Sequence, residues 1–171
     1  MGISSPIDEP PDEIRATLAP LRNDLSVAVM TPGNAFATGA IIRTAHSYLV
    51  REIFLVGGEP HYAKASMGMH KYETIVKCAT TEDFLAAVAG RPLWALEKDR
   101  ATAGLHDAPF PPGVVFVFGS ERFGVPDAIL ARADRVLAIP IYGVNHSLPV
   151  AVAAGITLAE WARRRYAGAT L

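Results

Sequence analysis

The chain of 171 residues contains one cysteine, Cys78, and that scarcity excludes an intramolecular disulfide and any cysteine-based metal cluster. Histidine is sparse too. His46, His61, His70, His106 and His146 show no His-x-x-x-His or Cys partner spacing, so no metal is expected. Arg, Asp, Glu, Lys or Pro interrupts each apolar stretch before it reaches the roughly 18–20 residues of a membrane span. The opening Met1-Gly2-Ile3-Ser4-Ser5-Pro6-Ile7-Asp8-Glu9 has neither a basic start nor an apolar core, which argues against a secretory signal and makes a cytoplasmic protein the expectation. An excess of one charge is also missing. A net charge of −1 and a pI near 6.5 do not by themselves point to a nucleic-acid binder. The densest basic run, Arg163-Arg164-Arg165, reads first as the solvated end of a helix, where cations complement the macrodipole.

Several catalytic signatures are absent as well. The chain has no Gly-x-Ser-x-Gly elbow, no Gly-x-Gly-x-x-Gly at the first strand-to-helix turn and no Walker sequence. Ser147 directly follows His146, a placement that rarely aims an imidazole at the neighbouring hydroxyl, so hydrolysis by a serine triad is disfavoured.

What is present is a chain with half its residues apolar, enough for the core of one domain. Residues 1–25 begin rich in Pro and acids and then carry Leu18, Leu21 and Leu25, an arm with a short helix ahead of one domain over 26–171. Apolar runs at 26–30, 52–56, 73–78, 92–96, 114–118 and 136–139 read as strands. Between them lie helical stretches, one with Phe36, Ala40, Ile41, Ala45 and Leu49 near helical spacing, one over 84–88 capped from Thr80-Thr81, one over 127–133 and a last from about Pro149 to Tyr166. Continuously apolar strands alternating with helices predict an α/β fold, a mostly parallel sheet with helices on both faces.

In such sheets ligands bind beyond the carboxyl ends of the strands, and three loops there stand out. The first leads through Pro32-Gly33-Asn34 into Gly39-Ala40-Ile41-Ile42-Arg43-Thr44-Ala45. It places a lone Arg43, with five planar donors suited to phosphate or carboxylate, in an apolar helix; an Arg that pairs with an acid or extends to solvent fits the spacing as well. The second is Phe118-Gly119-Ser120-Glu121-Arg122-Phe123-Gly124, where glycine permits close approach of a ligand to the backbone, although an ordinary Gly-Ser turn with a surface acid has the same residues. The third runs from Ile139-Pro140 through Asn145-His146-Ser147-Leu148-Pro149 to Ala153-Ala154-Gly155-Ile156. Pro149 suits a first helical turn, and the small residues suit close helix packing.

In this order the three loops resemble the three motifs of the SpoU (TrmH-like) branch of the SPOUT methyltransferases, from about Ser26 to Ala162. The resemblance implies a carboxyl-terminal trefoil knot, a rare exception to unknotted chains, and a homodimer whose active site is completed across the interface. It implies S-adenosylmethionine held largely by main-chain groups around Leu96, Gly119, Ile139 and Leu148. It also implies Arg43, Glu121 and Ser147 as catalytic residues, and methyl transfer without a metal to a ribose 2′-hydroxyl of tRNA or rRNA. Arg22, Lys64, Lys71 and Arg122 are the candidate RNA contacts. Two positions depart from the family pattern: Ala37 stands where Asn is usual six residues before the Arg, and Pro149 where Ser-Leu is usually followed by Asn. They keep open a SAM-binding or RNA-binding protein of this fold with weak or no transferase activity, or a methyltransferase with a different acceptor.

Overall fold

The computed structural model describes residues 9–107 and 109–165. Helix α1 (Pro11–Leu18) opens the described chain with a proline in its first turn and Asp12 and Glu13 near its positive end. It lies within the 1–25 arm, whose first eight residues fall outside the described ones. The core elements then follow as β1 (Ser26–Met30), α2 (Ala35–Ser47), β2 (Ile53–Val56), β3 (Ile75–Cys78), α3 (Thr81–Ala87), β4 (Leu93–Leu96), β5 (Ala103–Gly104), β6 (Val115–Phe118), α4 (Asp127–Arg132), β7 (Arg135–Ala138) and α5 (Val150–Arg165).

The seven strands form one sheet in the order β3-β2-β1-β6-β4-β7-β5, and each neighbouring pair is parallel. Side chains alternate across a strand, and two cores result. Val27, Val29, Leu55, Phe116 and Phe118 face one way and pack with Ile41 and Ile42 of α2 and Ala154 and Leu158 of α5. Ala28, Met30, Phe54, Val115 and Val117 face the other and pack with Phe84, Val88 and Ile129. Each large side chain buried here contributes roughly 1.5–3 kcal/mol, and helices cover both faces as the apolar strands predict. The capping box of α3 is present, with Thr80 Oγ1 accepting from the Asp83 N–H and Asp83 Oδ2 from the Thr80 N–H, both at 3.1 Å.

Four details differ from the sequence reading. Phe36 is 69% exposed rather than inward, and Leu49 lies beyond α2 in a left-handed turn at φ 47°. The two-residue strand β5 falls in a stretch read as loop, held to β7 by the Leu105 N–H on the Ala138 carbonyl at 2.8 Å. Gly155 makes no close approach to another segment of this chain among the described residues, since a Cβ there would meet nothing within 4 Å. The tight approach belongs instead to Gly39, where a Cβ would lie 2.5 Å from the Tyr62 carbonyl oxygen. The last helix is described as far as Arg165, and Tyr166 lies outside the described residues.

The terminal arginines lie in the last helix as expected, but they pair within the fold where the sequence suggests a solvated end. Glu160, 6% exposed, accepts from Arg163 Nε at 2.8 Å and Arg164 Nε at 2.7 Å. Arg164 also reaches the Leu105 and His106 carbonyls at 3.0 and 2.6 Å and stacks over Phe110, while Arg165 pairs with Asp24 at 2.9 Å. The Arg163 hydrogen bond, aided by Arg164 and opposed by burial, holds the Glu160 carboxyl down from 4.5 to about 2. A depressed carboxyl stabilises the fold above its unfolded value and loses that contribution as pH falls through its folded value. The wild type is therefore expected to lose more stability than Glu160→Gln between roughly pH 6 and roughly pH 3 in urea denaturation. Parallel losses in the two proteins would show that the pair does not couple to folding.

Candidate active site

At the carboxyl ends of β4, β6 and β7 lies a cleft of about 570 Å3, within the range of sites for small molecules and cofactors. Its apolar lining comes from Leu96, Phe118, Leu137, Ile139, Ile141 and Leu148, and its polar lining includes Glu97, Lys98, Asp99, Ser120, Glu121, His146 and Ser147. The second and third loops meet here, although about twenty residues separate them.

The loop after β6 is folded back on itself. Ser120 and Gly124 exchange main-chain hydrogen bonds at 3.1 and 2.9 Å, and the Phe123 N–H donates to Ser120 Oγ at 2.9 Å. Gly119 must lack a side chain, because a Cβ would lie 2.4 Å from the Gly124 carbonyl carbon and 2.7 Å from the Val125 nitrogen. Gly119 and Ser120, at the root of the fold-back, line the cleft. Glu121 is exposed, and its Oε1 accepts from the Val150 N–H at 3.3 Å. The acid of the second loop thus occupies the positive end of the helix that follows the third loop.

The third loop is held at two points. Asn145 Nδ2 donates to the Ser147 carbonyl and Lys98 Nζ to the His146 carbonyl, each at 3.1 Å. Ser147 is exposed at the rim, and Leu148 is half-buried beside it. Among the described residues no hydrogen bond joins His146 to Ser147, so the two do not form a nucleophile–base pair.

Of the seven residues that the sequence assigns to the site, Leu96, Gly119, Glu121, Ile139, Ser147 and Leu148 all line the cleft. Arg43 does not. It sits exposed on α2, and among the described residues its guanidinium has no partner. Asn34, three residues before Ala37, is buried and turned inward, with Nδ2 3.5 Å from the Met30 carbonyl. Of the candidate RNA contacts, Lys64, Lys71 and Arg122 are exposed. Arg22 is not free for RNA, since it donates to Glu73 at 2.7 and 3.1 Å and to the Val50 and Tyr72 carbonyls. The sequence reading missed Glu97, Lys98 and Asp99, which follow β4 directly. Their place beyond a strand's carboxyl end was the available signal.

The model of the SpoU rRNA methylase family matches residues 24–159. The chain belongs to the SpoU family. Among the relatives of this SpoU chain is the tRNA (guanosine(18)-2′-O)-methyltransferase of Thermus thermophilus, 30% identical over 147 residues, covering 83% of this chain and 76% of the relative. Another is the tRNA (cytidine(34)-2′-O)-methyltransferase of Methylovorus glucosotrophus, 29% identical over 140 residues, covering 77% and 90%. The structure of the A. aeolicus TrmH/SpoU tRNA modifying enzyme superposes with a TM-score of 0.80 at 27% identity, covering 92% of this chain and 83% of that one. An AdoMet-bound rRNA methyltransferase from Sinorhizobium meliloti superposes with a TM-score of 0.70 at 32% identity, covering 89% and 60%.

Proposed function

We propose that this SpoU chain transfers a methyl group from S-adenosylmethionine to a ribose 2′-hydroxyl of tRNA or rRNA. The observation that carries the reading is the gathering of Leu96, Gly119, Ile139 and Leu148 around one cleft. Membership of the family and relatives named for that reaction support it.

The residues present fit the cofactor. The apolar ends of β4 and β7, at Leu96, Leu137 and Ile139, offer a seat for adenine, and Gly119, whose missing side chain lets the second loop fold back, lines the cleft beside them. Bound there, S-adenosylmethionine supplies a methyl group already activated on a sulfonium, so the protein's work is placement of the acceptor. Ser147 at the rim is assigned to the acceptor side. Glu121 fixes the start of α5 relative to the second loop. Arg43 is assigned to hold the ribose or its phosphate, because a guanidinium is a poor general base and a good bidentate donor.

Arg43 lies outside its own cleft, which supports a homodimer in which Arg43 of one protomer serves the cleft of its partner. The reading includes the trefoil knot in the carboxyl-terminal segment, residues 26–171 as one domain and a cytoplasmic location. Among the described residues no helix is long and apolar enough to cross a membrane.

The test has two stages. Calorimetry with S-adenosylmethionine is expected to show binding at one site per chain. Mass spectrometry of tRNA and rRNA from cells with and without the protein is then expected to show one or more ribose methyl groups lost with the gene. Cofactor binding with an unchanged ribose pattern would favour a different acceptor or a binding protein of this fold. The replacement of two usual amides by Ala37 and Pro149 is what keeps that second reading open.

A further inference from the structure

Glu97 is the first residue beyond β4, and its backbone stays extended, the N–H donating to the Leu137 carbonyl at 3.1 Å. Its side chain reaches the loop after β6, where Oε2 accepts from the Val125 N–H at 3.3 Å. That reach depends on Gly124. The residue sits at φ +68°, and a Cβ there would lie 2.8 Å from Glu97 Oε2. Lys98, the next residue, directs its ammonium to the His146 carbonyl and does not pair with Glu97. Among the described residues Glu97 has no cationic partner, and its other oxygen accepts no hydrogen bond.

The cleft therefore holds a half-buried carboxylate, fixed by a single main-chain N–H and left with one unused oxygen. That oxygen is not buried among the described residues and faces the cleft, so a ligand that displaces water there meets an acceptor in need of a donor. The other carboxylates of the cleft, Asp99 and Glu121, are exposed and stay well solvated without one.

We propose that Glu97 binds the ribose of the adenosyl group, its unused oxygen accepting from the sugar hydroxyls. The proposal rests on the reading of the cleft as a cofactor site. Within that reading, adenine lies against Leu96, Leu137 and Ile139. Glu97 follows Leu96 directly and is hydrogen-bonded to Leu137, so its carboxylate stands at the edge of the base's seat. Base and sugar are joined by one bond, and the group that meets an acceptor in that place is the ribose. An ionised carboxylate has lone pairs for both hydroxyls of a cis-diol, and acids just beyond a strand serve the same purpose in dinucleotide folds.

The test compares S-adenosylhomocysteine with its 2′-deoxy analogue by calorimetry on the full chain, in the wild type, Glu97→Gln and Glu97→Ala. The wild type is expected to prefer the ribose form by about tenfold or more, the scale of a hydrogen bond to a charged group. Glu97→Ala is expected to bind the two alike. Glu97→Gln keeps a neutral acceptor and the Val125 contact, so it is expected to retain part of the preference, and an unchanged circular dichroism spectrum would confirm its fold. An undiminished preference in Glu97→Ala would overturn the proposal. So would a variant that loses S-adenosylmethionine but binds S-adenosylhomocysteine normally, because that pattern places the carboxylate against the sulfonium. A wild type that binds neither nucleoside would overturn the proposal together with the reading of the cleft.

Discussion

Arg43→Lys is expected to lose about a hundredfold or more in methyl transfer while binding S-adenosylmethionine as the wild type does, a loss on the scale of removing one preorganised donor from a reacting centre. The ammonium keeps the charge but not the planar fork, so bidentate placement of ribose or phosphate is lost. Arg43 is exposed, does not line the cleft of its own chain, and touches neither core, so the change leaves folding and the cofactor seat intact. A radiolabelled-methyl assay beside calorimetry checks both halves, and equal turnover would remove Arg43 from the mechanism.

The same residue offers a test of the dimer. Gly119→Ala should disable the cleft, because the added Cβ falls 2.4 Å from the Gly124 carbonyl carbon. Mixed in equal amounts and allowed to exchange, Arg43→Ala and Gly119→Ala protomers form about half heterodimers. In each heterodimer the intact cleft belongs to the Arg43→Ala protomer, whose own α2 lacks the arginine while the α2 of its Gly119→Ala partner keeps it. If Arg43 acts across the interface, the intact cleft of the Arg43→Ala protomer receives Arg43 from its Gly119→Ala partner, and about a quarter of wild-type sites recover. If Arg43 acts within its own chain, the mixture stays inactive.

The strands and their covering helices were legible because a sheet buried on both faces demands apolar runs, and 26–30, 53–56 and 115–118 have no other use for them. The cleft was legible through the second and third loops, whose residues the fold brings to one end of the sheet, whereas no residue of the first loop lines it. Other features were hidden for identifiable reasons. Phe36 keeps helical spacing with Ala40, but spacing cannot tell which residues of a stripe lie at its exposed margin, and here the ring stacks on Tyr62 at the surface. Strand β5 is two residues long, and its hold on the sheet comes partly from Thr102, whose Oγ1 bonds both main-chain groups of Val136. No local pattern announces such a strand. Arg22 had the look of a free surface cation because its partner, Glu73, is 51 positions away.

That pairing leads to the largest expected effect on stability. Glu73 is fully buried in its side chain, and Arg22 is 11% exposed. Together they tie the end of the arm to the segment before β3, while His46 of α2 meets Glu73 Oε1 at 2.7 Å. Three separate parts of the chain thus converge on one carboxylate. Arg22→Ala would strand that charge away from water with only the imidazole beside it, and it would free the Val50 and Tyr72 carbonyls as well. Removing one member of a buried pair costs about 3–5 kcal/mol, whereas replacing both with apolar groups of similar volume is often close to neutral. In urea denaturation, Arg22→Ala is therefore expected to lose stability on that scale, and Arg22→Met combined with Glu73→Leu to lose distinctly less. A double variant as unstable as the single one would mean that the network's shape, not its uncompensated charge, sets the penalty. A loss below about 1 kcal/mol in Arg22→Ala would place the pair among surface ion pairs of little consequence.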